Sequence, residues 1–188
     1  MKKIKKLLIK FDACKDAIEW AGDKPIEEIV KTCHRGDWLL WLARRIYIPL
    51  KAFILAKGHF AKTVLPLMDD ERSKKSVEVA ILFGEGKATK EELDTAHAAA
   101  YYAYADAAAA YAASAYADAA YYAYAAAYAA YAASSASASD ASASYAAHAS
   151  AYYAAATADR TKNEMETADI CRKYIGQLIV NKVNDLCQ

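Results

Sequence analysis

Apolar residues recur at helical spacing along the first half of the chain, with charged residues between them. In the first segment, Ile4, Leu7 and Leu8 lie three or four residues apart and Ile18 continues the pattern, while lysines occupy the opposite face. Such spacing predicts an amphipathic α-helix, which we expect to end near Gly22. No segment before residue 134 sustains the apolar–polar alternation of a half-buried β-strand.

Four further helices are predicted from residues that start or stop a helix. Asp is a favoured N-cap, Pro is favoured in the first turn, and Gly is favoured just after the last turn. The predicted helices run from an Asp23 cap to Gly36, from an Asp37 cap through Arg45, from Pro49 to about Leu65, and from an Asp69 or Asp70 cap to Gly84.

Two tryptophans lie on one face of the third predicted helix. Trp38, Trp41 and Leu42 have the spacing i, i+3, i+4, which places them together on the helix surface. Large aromatic side chains on such a face contribute much of the energy of a core. We therefore expect Trp38 and Trp41 to be structural anchors of the core.

Residues 96–158 form a low-complexity stretch of alanine and tyrosine. Of its 63 residues, 36 are Ala and 13 are Tyr, and it contains neither Gly nor Pro. Ala has the highest helix propensity, and Tyr is only a few tenths of a kcal/mol less favourable. The preceding Thr89-Lys-Glu-Glu92 segment has the pattern of a capping box. The sequence therefore predicts an all-α fold in which short N-terminal helices pack on long Ala/Tyr-rich helices.

A solenoid is the alternative geometry for this stretch. Its pattern repeats after about twenty residues from Tyr101, and the Ser134–Ser144 run alternates Ser with Ala. A coil lined by Ala holds too little apolar volume for a core, which favours the helices. The Ser-rich run is then the predicted bend or loop. A last long helix should run from about Tyr145 to near Val183, with Gly176 as a tolerated interruption.

The tyrosines form two stripes at helical spacing. A twenty-residue offset turns a straight helix by about 200°, so the two stripes would face opposite sides. This is expected if the helix passes through the middle of the protein, or if the chain bends between the stripes. The first stripe is Tyr101, Tyr104 and Tyr111, and the second is Tyr121, Tyr124, Tyr128 and Tyr131.

Composition bounds the rest of the interpretation. A chain of 188 residues with a formal net charge of +1 predicts one domain, with parts at 1–88, 89–158 and 159–188, and gives no field that favours nucleic acid. The four cysteines are far apart, which is typical of reduced thiols in a cytoplasmic protein. We expect no metal, no cofactor, no membrane span and a cytoplasmic location.

No segment carries a catalytic motif. None of the four histidines stands at a metal-ligand spacing from another His or Cys. The chain contains no Gly-x-Ser-x-Gly turn, and Gly84-Glu-Gly86 is too short and too acidic for a phosphate loop. The sequence therefore predicts a protein that is not an enzyme.

Binding is the better-supported chemistry. Tyrosine rings offer stacking faces, and their hydroxyl groups donate and accept hydrogen bonds. An isolated carboxylate among alanines is costly unless it meets water or a partner, so we expect the site on the Asp106 side of the stretch. The candidate binding residues are His97, Tyr101, Tyr104, Asp106, Tyr111 and Arg160.

Three segments outside the low-complexity stretch carry a family resemblance. They are Cys33-His-Arg-Gly-Asp-Trp-Leu-Leu-Trp-Leu-Ala43, Ser76-Val-Glu-Val-Ala80 with Gly86-Lys-Ala-Thr-Lys-Glu-Glu-Leu93, and Thr167-Ala-Asp-Ile-Cys-Arg-Lys-Tyr174. These segments resemble immunity proteins of bacterial toxin systems, which phages and prophages also carry. The resemblance implies non-enzymatic binding that neutralises a toxin or defence protein. One alternative is a phage counter-defence sponge that captures a small nucleotide-like signal in a Tyr-lined pocket, and another is a homo-oligomeric scaffold.

Overall fold

The fold is all-α, as the sequence predicts. The structure, a computed structural model, describes residues 3–113, 118–135 and 160–188. A short 3₁₀ turn, Leu65–Leu67, follows α5, and a π-helical segment, Arg172–Gly176, joins the last two helices. The α-helices are α1 (Lys3–Lys10), α2 (Lys15–Ala21), α3 (Ile26–Thr32), α4 (Gly36–Arg45), α5 (Leu50–Lys62), α6 (Glu71–Gly84), α7 (Lys90–Ala113), α8 (Asp118–Ser134), α9 (Arg160–Cys171) and α10 (Gln177–Leu186).

The first predicted helix is two helices, so the prediction of one helix up to Gly22 is wrong. Asp12 adopts a left-handed conformation with φ of 57°. The backbone N–H of Ala13 donates to the carbonyl of Leu8 at 3.0 Å, which closes α1 as a Schellman motif. Asp is one of the few residues that tolerates this conformation, so the break costs little.

The predicted caps of α6 and α7 are confirmed. The Asp70 side chain accepts a hydrogen bond from the backbone N–H of Arg72 at 2.8 Å. The backbone N–H of Thr89 donates to Glu92 Oε2 at 2.7 Å, and the N–H of Glu92 donates to Thr89 Oγ1 at 3.1 Å. Each of these contacts satisfies an N–H group that the first turn leaves without a helical partner.

The predicted caps Asp23 and Asp37 are wrong. Pro25 precedes α3 as its N-cap, so Asp23 lies outside the helix. Asp37 lies in the first turn of α4. Two guanidinium nitrogens of Arg35 donate to its carboxylate oxygens, at 2.6 and 2.8 Å. Helix α4 begins at Gly36 with Arg35 at the N-cap position, so Asp37 lies inside the helix and cannot be its N-cap.

Helix α5 separates two clusters of buried apolar residues. The first cluster combines α1 to α4 with the C-terminal helices, and the second combines α6, α7 and α8. Phe53 and Phe60 of α5 belong to the first cluster, whereas Ile54 and Ala61 belong to the second. The middle of helix α5 therefore lies between the two clusters and contacts both.

Trp38 and Trp41 lie at the edge of the first cluster rather than inside it. Both side chains are half-buried, and both pack against the cluster from outside. The fully buried positions of α4 include Leu39 and Leu40. The expectation that the tryptophans are the central anchors needs this correction, because the helix turns its leucines, not its indoles, toward the centre.

Glycine allows α5 and α6 to approach closely. A Cβ atom at Gly84 would lie 2.5 Å from Leu55 Cβ and 2.8 Å from Leu55 Cα. A Cβ atom at Gly58 would lie 2.8 Å from Ile81 Cγ1. Both distances are shorter than van der Waals contact, so the two helices could not pack this way with larger residues.

Helices α7 and α8 form an antiparallel pair. His97 near the start of α7 contacts Tyr131 near the end of α8, and Tyr104 contacts Tyr124. Helix α8 therefore runs opposite to α7, as expected if the chain bends between the two tyrosine stripes. Helix α8 ends at Ser134, where the Ser-rich run begins, and the rest of that run, the second predicted bend, lies outside the described residues.

The C-terminal region is one helical rod from α9 to α10. Its π-helical segment ends at Gly176, the residue that we expect to interrupt the helix. The predicted start of this helix near Tyr145 lies outside the described residues.

Cys33 and Cys171 are buried, and burial raises the pKa of the Cys33 thiol to about 11. Among the described residues, no helix is long and apolar enough to cross a membrane.

Candidate functional site

Tyrosine rings fill the interface between α7 and α8. Tyr104 is at the centre, and its ring centroid lies 5.1 Å from that of Tyr124, 4.7 Å from Tyr128 and 6.0 Å from Tyr131. The hydroxyl oxygens of Tyr104 and Tyr124 lie 2.9 Å apart and share a hydrogen bond. These spacings are typical of aromatic pairs that add to the energy of area burial. We call this group, with Tyr101, the tyrosine ladder.

His97 continues the tyrosine ladder at the end of α8. Its ring stacks on Tyr131, with centroids 4.4 Å apart and an interplanar angle of 15°. Its Nδ1 lies 3.2 Å from the Tyr131 carbonyl oxygen and 3.4 Å from Ser134 Oγ. Partial burial lowers the pKa of His97, which favours a neutral ring with its proton on Nδ1, facing the carbonyl.

A buried lysine lies beneath the same helix end. Lys57 of α5 is fully buried, and its Nζ donates to the carbonyl oxygens of Ala132 at 3.0 Å and Ser135 at 2.9 Å. Ala132 lies in the last turn of α8 and Ser135 directly follows the helix, at the end where the helix dipole favours a positive charge. Burial nevertheless lowers the pKa of the Lys57 amine to about 7.

Ser76 makes a second contact to this end of α8. Its hydroxyl donates to the carbonyl oxygen of Ala130 at 3.1 Å, and Ser134 donates to the same carbonyl at 3.1 Å. The polar side chains from α5, α6 and α7 thus converge on the last turn of one Ala-rich helix. Their role is to fix the position of α8, because each satisfies a carbonyl or a hydroxyl in a buried setting.

The tyrosine ladder reaches solvent on α7. Tyr101 is 50% exposed and Tyr102 is 63% exposed, and their rings meet edge to face at 5.7 Å. Asp106 lies one turn beyond Tyr102 on the same side and forms an ion pair of 2.6 Å with Arg72 of α6. We call Tyr101, Tyr102 and Asp106, together with Arg72 of the neighbouring α6, the outer face of α7.

The structure brings together only some of the predicted site residues. His97 and Tyr104 lie on the side of α7 that faces α8, and Tyr101 lies at the edge of that side, because its ring contacts Tyr131 and is also half exposed. Asp106 lies about 200° around the helix from Tyr104, so the two do not line one groove, and the partner of Asp106 is an arginine rather than a tyrosine hydroxyl. The side chains of Tyr111 and Arg160 lie outside the described part of the chain.

Three important residues were not among the predicted site residues. Tyr102 and Arg72 complete the outer face of α7, and Lys57 fixes the end of α8. The signal for Lys57 is visible in the sequence, since this lysine interrupts an apolar run on a face shared with Phe53 and Ile54. No comparable signal marks Arg72, because its partner is distant in sequence.

A groove of about 620 Å³ lies elsewhere, between α3 and the C-terminal helices. Its lining contains no tyrosine, so it differs from the Tyr-lined pocket of the nucleotide-sponge alternative. Arg172 is largely committed to the fold there, because it donates to the Cys33 carbonyl at 2.7 Å and to Asp169 at 2.6 Å. The polar lining residues are Glu27, Lys31, Arg172, Gln177, Asn181 and Asn184.

Comparison with protein-family models, with curated proteins and with solved structures gave no match. Within the described residues, no three His, Cys, Asp or Glu side chains are grouped to hold a metal ion. The description of the site therefore rests on the contacts and exposure of its own residues. It is an aromatic ladder that is packed on the inside and exposed along the outer face of α7.

Proposed function

We propose that the protein is a non-enzymatic inhibitor that acts in the cytoplasm by sequestering a toxin or defence protein. The outer face of α7 is the contact surface. The resemblance of three segments to immunity proteins supports the binding class. The observation that carries the proposal is the exposure of two adjacent tyrosines beside an arginine–aspartate pair.

Such a surface has the composition of an interface centre. Tyr and Arg are enriched among the residues that contribute most to protein–protein binding energy. The tyrosine ladder holds Tyr101 from beneath through Tyr131, at 5.7 Å between ring centroids. Less side-chain entropy is then lost when a partner covers the ring. The exposed Ala105 lies between Tyr101 and Tyr102 around the helix and lets a partner approach the backbone.

The nucleotide-sponge alternative requires an enclosed Tyr-lined pocket with a basic side chain. The rings of Tyr104, Tyr124, Tyr128 and Tyr131 contact one another, so a planar ligand would have to displace at least one of them. This geometry favours a partner that covers the surface over a ligand that enters between rings. A homo-oligomeric scaffold is the third prediction, and the same experiment distinguishes all three.

The experiment is native mass spectrometry of the tagged protein purified from its own host. We expect a one-to-one complex with a single polypeptide. The activity of that polypeptide, assayed separately, should be lost in the complex. A bound mass in the range of a nucleotide would instead identify a sponge. A complex that contains only copies of this chain would identify a scaffold.

Variants then locate the contact surface. Tyr102→Ala should weaken the purified complex by about tenfold or more, as expected for a residue at an interface centre. Met165→Ala is the matched control, because Met165 is a similarly exposed large side chain on α9. Equal loss for both variants, or no loss for Tyr102→Ala, would reject the outer face of α7 as the contact surface.

A further inference from the structure

The connection between α4 and α5 contains a tyrosine in an unfavourable backbone conformation. Tyr47 has φ of 56°, in the left-handed region. Its N–H donates to the carbonyl of Arg44 at 3.1 Å, and the N–H of Ile48 donates to the carbonyl of Ala43 at 3.2 Å. This is a Schellman closure, and the position that Tyr47 occupies in it is usually Gly. A bulky side chain at such a position is a genuine conformational outlier.

The tyrosine ring contributes little to the fold in return. Tyr47 is 77% exposed, more than any other large apolar or aromatic side chain in the described part of the chain. Its neighbours Ile46 and Ile48 are buried and hold the turn in place. Strained residues that the fold does not need are concentrated at functional sites. The conformational free-energy cost of the left-handed backbone at Tyr47 therefore points to a role for its exposed ring.

Within its own segment of the chain, Tyr47 is surrounded by apolar and basic residues. The guanidinium of Arg44 lies over the ring, with Cζ 5.2 Å from the centroid. Leu50, in the first turn of α5, is 40% exposed, and the exposed Lys51 follows it. From Trp38 to Met68 the chain contains no Asp or Glu. We call Arg44, Tyr47, Leu50 and Lys51 the corner patch.

We propose that the corner patch is a docking surface for an acidic protein partner. Tyr47 is the anchor that enters an apolar recess of the partner, and carboxylates of the partner lie near the basic side chains around it. Complementary charge selects such a partner, and the exposed aromatic ring supplies the contact area. This inference rests on the proposed function, to which it adds a second contact surface, separate from the outer face of α7.

Stability measurements test the conformational part of the proposal without a partner. Tyr47→Gly and Tyr47→Asn place residues that accept a positive φ in the turn. We expect each variant to raise Tm by about 2 to 4 °C. Asp12→Gly is the matched control, because Asp12 has φ of 57° but tolerates it, and should change Tm less. A Tm at or below the wild-type value for both Tyr47 variants would overturn the argument from strain.

Photo-crosslinking identifies what covers the corner patch. A benzophenone amino acid is placed at position 47 of the full chain in its host, and at position 165 as an exposed control. We expect one acidic polypeptide to be attached at position 47 and not at 165. Attachment to a second copy of this chain, to no protein, or to the same set of proteins from both positions would overturn the proposal.

Affinity measurements with the purified crosslinked protein complete the test. Tyr47→Gly should weaken binding by about tenfold or more, whereas Tyr47→Phe keeps the ring and should stay within about twofold. Added salt should weaken the wild-type complex. Unchanged binding by Tyr47→Gly, together with loss in Tyr102→Ala, would reject the corner patch and leave the proposed function intact. Absence of any protein partner for the wild type would reject both.

Discussion

Replacing Lys57 by Met is expected to remove most of the pH dependence of stability just above neutral pH. The Lys57 amine is fully buried against the last turn of α8, and burial lowers its pKa from 10.5 to about 7. Between these two values the unfolded chain binds more protons than the folded chain. The free energy of unfolding of the wild type therefore rises with pH in this range.

The magnitude follows from the two pKa values. Integration of the difference in bound protons from about pH 7 to about pH 8.5 gives an increase of about 2 kcal/mol in the free energy of unfolding. Other titratable groups change the free energy of unfolding mainly outside this pH window. The pKa of His97 is lowered from 6.5, so its effect ends below the window, and the thiol of Cys33 loses its proton in the unfolded chain near 9.0.

The assay is urea unfolding followed by circular dichroism at several pH values in this window. Lys57→Met removes the amine that donates to the Ala132 and Ser135 carbonyls, so the absolute stability of the variant at neutral pH is not the informative quantity. The slope against pH is informative, and it should be close to zero in the variant. Lys62→Met, which removes an exposed lysine of the same helix, should keep the wild-type slope. Equal slopes for the wild type and Lys57→Met would refute the assignment of a neutral, buried amine.

Two further predictions concern packing. Gly84→Ala should lower stability by about 1 to 3 kcal/mol in urea unfolding, because the new Cβ would lie 2.5 Å from Leu55 Cβ, and unchanged stability would show that α5 and α6 can separate freely. Leu40→Ala should cost about 2 to 5 kcal/mol, and Trp38→Ala should cost less, because Leu40 is fully buried and Trp38 is half-buried. A larger loss for Trp38→Ala would restore the indole as the principal anchor of α4.

The sequence predicts the helical class well because the signals are local. The Asp70 cap and the Thr89–Glu92 capping box depend on residues within one turn of each other. Asp37 shows the limit of such signals, since α4 begins one residue before it, at Gly36, and Arg35 occupies the N-cap position. A capping residue type therefore predicts the existence of a helix better than the residue at which it begins.

The candidate site was predicted only in part, because its geometry depends on the reversal between α7 and α8. Alanine and tyrosine give no turn signal, so the sequence does not fix where the chain reverses. Once it reverses, Tyr104 faces Tyr124, and the packing of α6 on α7 brings Arg72 to Asp106. Neither partnership can be derived from spacing within α7. The left-handed conformation of Tyr47 is equally hidden, because a sequence rule would place Gly at such a position.

The antiparallel pair of α7 and α8 has a consequence for how the length of this chain can vary. Its contacts with the second apolar cluster come from Leu93 and Ala96 at the start of α7 and from alanines in the second half of α8. The last residues of α7, such as Ala112 and Ala113, are exposed. Matched gains or losses of whole helical turns beside the reversal would lengthen or shorten the pair without disturbing the core. The α7–α8 pair can therefore reach further from the core, or less far, while the packing of its base is kept.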